Sequence, residues 1–226
     1  MPVRKIPMNY RSVTGYKSST REPRLVAVES TLERDFAYVL DFDWEVEHYE
    51  EQPIRIDFED NSGKQRHYTP DFLVRYRGPT PLHHWSYKKT VLYEIKPREV
   101  LRKKWTSLKP AFKAAIRHSR KKGWRFKIMT ENEIRDSYLE NIRFLLHYRK
   151  IEHPEEFIWM NKMFKLLRLL RETDPKNLLA AITNDQNLKA ELIPVLWKGI
   201  AIGEIGTDLH QPLTMKSRIW YMDPRF

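Results

Sequence analysis

The sequence predicts an α/β chain, in which a mixed sheet flanked by helices is followed by a small, mostly helical domain. Three observations lead there. Short apolar, β-branched and aromatic runs bounded by proline and glycine are interleaved with longer stretches of 3.6-residue apolar period up to about residue 149. Two of the central runs carry acidic and basic side chains at alternating positions. From residue 150 onward the pattern changes to three helical segments and one closing hairpin. The expected organisation is a basic extended arm over residues 1–24, an α/β domain over 25–149 and a C-terminal domain over 150–226.

Residues 1–24 hold six basic side chains, one acid and three prolines without periodicity, so an extended arm is expected, ordered if at all by a partner such as a DNA backbone, with an inert tail as the equal alternative. Residues 29–41 read as a helix, because Leu32, Phe36, Val39 and Leu40 share one face and Ser30 or Thr31 can cap its start. Glu29 and Glu33 lie one turn apart on it. Residues 45–58, with Val46, Tyr49 and the alternating Ile54, Ile56 and Phe58, read as a strand. It is expected to turn through Asp60-Asn61-Ser62-Gly63 into the next strand, over residues 71–76. Another strand covers 90–96, with Pro70 and Pro97 as outer limits and Gly78, Pro79 and Pro81 in the loop between. A basic helix over 100–122, with Pro110 as a kink or break, ends at Gly123. A strand over 124–129 and a helix over 131–147 follow.

Later helical patterns span 154–171, 174–181 and 187–198, before a hairpin formed by 203–208 and 213–221. Three helices and a hairpin is the winged-helix arrangement. Phe157, Trp159, Phe164 and Trp197 are expected in its core.

Chemistry is concentrated in residues 67–97. Side chains alternate along a strand, so Glu94 and Lys96 face one way while Tyr93 and Ile95 face the other. If the neighbouring strand pairs with this one, Asp71 at its mouth brings a second carboxylate to the same spot. Magnesium takes a few hard oxygen ligands and keeps several waters, so Asp71, Glu94 and the Ile95 carbonyl suffice. Lys96 is then placed to orient water or stabilise charge developing on a phosphate. Glu33 is the candidate third carboxylate. The alternative for Glu94 and Lys96 is a same-face ion pair; for Glu29 and Glu33 it is service at a helix N-terminus.

Composition agrees with a polyanionic partner. The formal net charge is +11, and residues 98–127 carry twelve Lys or Arg against the single acid Glu99. Lys103, Lys104, Lys109 and Lys113 are the candidate phosphate contacts. Residues 150–226 are near charge balance, with eleven basic and ten acidic side chains, which favours protein docking over strong independent DNA binding there. The absence of cysteine excludes disulfides, thiolate zinc sites and cysteine nucleophiles. No apolar run approaches membrane-spanning length, and no signal-peptide core opens the chain, so a cytoplasmic protein is expected.

The Pro-Asp…Glu-x-Lys pattern resembles that of restriction-endonuclease-like nucleases. Four segments are together similar to the TnsA family, the endonuclease subunit of heteromeric cut-and-paste DNA transposases. They are Ser30-Thr31-Leu32-Glu33-Arg34-Asp35 with Leu40-Asp41-Phe42-Asp43, Tyr49-Glu50-Glu51-Gln52-Pro53, His67-Tyr68-Thr69-Pro70-Asp71-Phe72 and Tyr93-Glu94-Ile95-Lys96. They cover about residues 28–100. The resemblance implies a restriction-endonuclease-like core, Mg²⁺ (with Mn²⁺ substituting) and hydrolysis of the strands at transposon ends that are not transferred. It assigns the helix carboxylate to Glu33, the motif aspartate to Asp71 and the lysine to Lys96. The family also admits glutamine where Glu94 stands.

Gln52 and His67 are supporting candidates in motif order, with structural roles as the open alternative. Implied partners are transposon-end DNA, a DDE-type transposase subunit and an AAA+ ATPase regulator engaging the C-terminal domain. The implied location is the bacterial nucleoid. The short arm and compact C-terminal region resemble versions from transposons with CRISPR-guided targeting. Rival readings are a repair or junction-resolving endonuclease of the same fold, and a non-catalytic winged-helix DNA-binding module.

Overall fold

The computed structural model describes residues 15–18, 25–78 and 90–222. Most of the arm, and the prolines of the loop after Gly78, lie outside the described residues. Contacts divide the chain into two compact units, residues 1–135 and 136–226.

In the first unit, strand β1 (Gly15–Ser18) pairs antiparallel with β2 (Leu25–Val28). This corrects the expectation of an arm ordered only by a partner. Lys17 is buried and ion-pairs with the fully buried Asp41, which also accepts a hydrogen bond from the Tyr49 hydroxyl at 2.9 Å. Helix α1 (Thr31–Phe42) starts at Ser30, whose hydroxyl accepts from the Glu33 N–H.

Strand β3 (Val46–Glu51) ends at Gln52, which takes a positive φ of 46° before Pro53. That break corrects the single strand expected over 45–58. A separate hairpin follows instead, β4 (Ile56–Glu59) and β5 (Gln65–Tyr68), before β6 (Phe72–Tyr76). Gly63, at φ 79°, supplies the left-handed residue of its turn.

Strand β7 (Val91–Ile95), helix α2 (Arg98–Lys121) and β8 (Arg125–Met129) complete the sheet. Its order is β3-β6-β7-β8, antiparallel except for the β7–β8 pair, hence a mixed sheet. Alternation sorts the residues between two layers. Phe72, Val74, Tyr93 and Ile95 pack in the core with Leu32, Phe36 and Leu40 of α1, while Leu73 and Leu92 pack with Ala114 and Ala115 of α2. Phe36 fixes the first layer through ring contacts with Phe72 and Tyr93, at centroid distances of 5.5 and 5.0 Å. Pro110 lies inside α2 without ending it, and Gly123 at φ 70° stops the chain beyond.

The helix expected over 131–147 is two helices, α3 (Glu131–Ile134) and α4 (Ser137–Tyr148). Asp136 breaks them by capping α4, accepting from the Leu139 N–H at 3.2 Å. Ile134 joins the α1 core, whereas α4 belongs to the second unit, so the division falls earlier than the expected boundary at 149.

The second unit continues with α5 (Glu156–Leu170), β9 (Glu172–Thr173), α6 (Pro175–Ile182), α7 (Gln186–Ala201), β10 (Ile205–Thr207) and β11 (Ile219–Tyr221). A three-stranded sheet of order β10-β11-β9 extends the expected hairpin by one strand. Met163, Leu167, Leu178, Leu192, Leu196, Ile205 and Ile219 are all buried in this unit. Gly199 permits the close approach of α7 to β10, since a Cβ there would lie 2.7 Å from Ile205. Trp197 is buried as expected, but Phe157 is 81% exposed and is no core residue. No helix among the described residues is long and apolar enough to cross a membrane.

Candidate active site

The site lies at the end of β7, on the layer that faces α2. Leu92 and Glu94 share that side by alternation, and Asp71 shares it with Leu73. Pairing of β6 with β7 places Phe72 opposite Tyr93, which sets Asp71 beside the end of β7. The Ile95 N–H donates to Asp71 Oδ2 at 2.6 Å, and the Asp71 N–H donates to the Tyr93 carbonyl at 3.1 Å. The aspartate is thereby pinned from both its backbone and its side chain.

Glu94 is only 2% exposed. Its two oxygens have different partners: Oε1 meets the Lys96 ammonium at 2.9 Å, and Oε2 accepts from the Tyr68 hydroxyl at 2.5 Å. Burial pushes the Asp71 carboxyl well above its ordinary range, and the nearby charges of Glu94 and Glu33 push it further. Lys96 feels the same acids. Burial pulls its pKa down, but Asp71 and Glu94 outweigh that and hold it above the usual lysine value, so it stays charged.

Glu33 is buried, and both its oxygens are engaged by the start of α1. Oε1 accepts from the Ser30 hydroxyl at 2.8 Å and Oε2 from the Glu29 N–H at 2.7 Å. It therefore performs helix capping while lying close enough to interact electrostatically with Asp71 and Lys96. Burial raises its pKa, against those hydrogen bonds.

Gln52 connects to the same region. Its Nε2 donates to Glu29 Oε1 at 2.9 Å, and its N–H donates to the Asp71 carbonyl at 2.8 Å. Its own Oε1 is buried and accepts no hydrogen bond from the described residues.

His67 is not part of this cluster. In the hairpin register it stands opposite the exposed Asp57, whereas Tyr68 stands opposite the buried Ile56. Alternation thus sends Tyr68 inward to Glu94 and leaves His67 exposed. Tyr68 is a further candidate site residue that the motif order alone passes over, and the buried-face pattern of Ile56 and Phe58 was the signal that could have found it. Of the four candidate lysines on α2, Lys103 is paired with Glu99 at 2.5 Å, Lys104 is exposed, and Lys109 and Lys113 line a groove beside the hairpin.

The donor set suits a hard divalent cation in charge. Glu94 and Glu33 both act electrostatically on Asp71, and the Lys96 ammonium offsets them. Among the described residues, no three of His, Asp and Glu converge closely enough to hold a metal by themselves. Magnesium does not require that, because it is commonly bound through one or two carboxylates together with waters and substrate phosphates.

A mixed sheet flanked by helices, with this Asp, Glu and Lys at the end of its strands, is consistent with a restriction-endonuclease-like core. Residues 43–131 match the family model described as TnsA-like endonuclease N terminal. The chain carries a TnsA-like endonuclease N-terminal domain. No curated protein matches the chain.

Proposed function

We propose that the protein is the metal-dependent endonuclease subunit of a cut-and-paste DNA transposase, hydrolysing the non-transferred strands at the 5′ ends of the element. The observation that carries this reading is the Asp71–Ile95 hydrogen bond, which fixes one carboxylate beside the Glu94–Lys96 pair within the TnsA-like domain.

In this reading Asp71, Glu94 and the Ile95 carbonyl, with Glu33 beside them, would hold Mg²⁺, which would offset phosphate charge and acidify the attacking water. Asp71 is held in place by the Ile95 N–H. Lys96, kept protonated by its acidic neighbours, donates to the non-bridging phosphate oxygens as charge accumulates there. Tyr68 holds the Glu94 carboxylate in one orientation. Water oxygen attaches to phosphorus, the bond to the leaving deoxyribose oxygen breaks, and that oxygen departs with a proton.

The second unit supports a partner role. Its order of two helices, a strand, two helices and two strands, with the first strand at the edge of the sheet, suits a winged-helix domain preceded by one extra helix. Near-neutral charge after residue 150 favours docking of an AAA+ ATPase regulator on it, with a DDE-type transposase subunit cutting the other strand.

The test is a strand-mapped cleavage assay on end-labelled transposon-end duplex with the transposase subunit and Mg²⁺. Cuts on the non-transferred strand are expected, lost with Asp71→Ala and on chelation, while cuts on the other strand, made by the transposase subunit, should survive Asp71→Ala. Cleavage of mismatched or branched DNA without the partner would instead assign a repair or junction-resolving enzyme. Cleavage undiminished by Asp71→Ala would mean that the activity lies elsewhere.

A further inference from the structure

Helix α2 carries a feature that the active site does not use. Trp105, Lys109, Lys113 and Arg117 recur at every fourth residue along it, about 6 Å apart in rise. All four line a groove of about 390 Å³, walled opposite by Glu59 and Asn61 of the β4–β5 hairpin. The three cations are exposed and make no ion pair or hydrogen bond among the described residues, unlike Lys103 with its Glu99. Glu59 is the one acid in the lining. Asp60 nearby is occupied by Arg66 at 2.9 Å and by Ser62.

Trp105 is 47% exposed, with its ring 6.0 Å from that of Phe112. Phe112 in turn lies 6.1 Å from Tyr68, whose hydroxyl binds Glu94. The groove is therefore two ring contacts from the acidic cluster, inside the same compact unit.

We propose that this groove holds one unpaired strand of DNA, with phosphates along Lys109, Lys113 and Arg117 and a base against Trp105. The proposal rests on the reading that the protein acts on DNA. A basic groove joined to an exposed aromatic ring is the arrangement that binds single strands without sequence preference. The groove has the volume of a small-ligand pocket, which suits one nucleotide better than a whole duplex. A base inside a duplex also has both faces covered by its neighbours, so only an unpaired or extruded base can stack on Trp105. A melted flank beside the scissile phosphate is the natural occupant.

The experiment uses the full chain in chelator, with a fluorescent mixed-sequence single strand and the corresponding duplex, read by anisotropy across a salt series. Folding of each variant is checked by circular dichroism. The wild type is expected to prefer the single strand. Trp105→Ala should weaken single-strand binding roughly tenfold, consistent with the usual stacking contribution per base, without changing the salt slope. Trp105→Phe should retain most of the affinity. Lys113→Gln and Arg117→Gln should each flatten the salt slope by about 0.7. Single-strand affinity unaffected by Trp105→Ala, or duplex binding equally tight and equally sensitive to these variants, overturns the proposal. Because no divalent ion is present, that failure leaves Asp71-dependent cleavage untouched and is distinct from failure of the nuclease reading.

Discussion

Lys96→Ala should slow strand hydrolysis by roughly 100- to 1,000-fold, the usual consequence of removing one preorganised charge donor from a site of developing negative charge. The reasoning is electrostatic. Lys96 is partly buried, held 2.9 Å from Glu94, and kept charged by Asp71 and Glu94 against the burial that pulls the other way. A donor so fixed needs no reorganisation when phosphate charge builds up. Single-turnover cleavage with the transposase subunit measures the loss, and DNA affinity measured separately should change little, since the run of basic side chains lies elsewhere, on α2. An equal loss of affinity and rate would instead make Lys96 a general phosphate contact.

Asp41→Ala should lower unfolding stability by about 3 kcal/mol, because it removes one partner of a buried ion pair. Asp41 is fully buried between Lys17 and the Tyr49 hydroxyl, and the Lys17 ammonium also lies 4.4 Å from the ring centre of Tyr38. Burial lowers the Lys17 pKa, and the attraction of Asp41 works against that shift. Without Asp41 the lysine loses the attraction that offsets its burial, which weakens the hold of β1 on the core. The double variant Lys17→Met with Asp41→Leu should recover much of the loss, since apolar replacement of a whole buried pair is often near neutral. Urea midpoints at fixed slope distinguish these cases. A single-variant effect under 1 kcal/mol, the range of an exposed pair, would mean that β1 is not anchored in solution.

Much of the site was legible because it rests on period-two alternation. Glu94 and Lys96 are spaced to share a side, while Tyr93 and Ile95 feed the α1 core, and a strand permits little else. The break at Gln52 was not legible, because a positive φ at a non-glycine residue is imposed by its surroundings, here the hydrogen bonds to Asp71 and Glu29. Choosing Tyr68 over His67 needed the hairpin register, which a continuous-strand reading of 45–58 conceals. The Asp136 cap can be read as a short acidic residue before an apolar run, yet apolar periodicity on both sides favours one long helix there. Lys17 finds its partner only through tertiary structure, 24 residues away, so no local pattern announces it.

The central claim is that Asp71 and Glu94 form a divalent-cation site. Calorimetry of Mn²⁺ and Mg²⁺ binding, without DNA and with a short duplex, tests it most directly in wild type, Asp71→Ala and Glu94→Ala. Binding in the wild type that both substitutions abolish, with all three proteins folded, is the predicted result. Folded wild-type protein that binds neither ion in either condition, or binding that survives both substitutions, would contradict it.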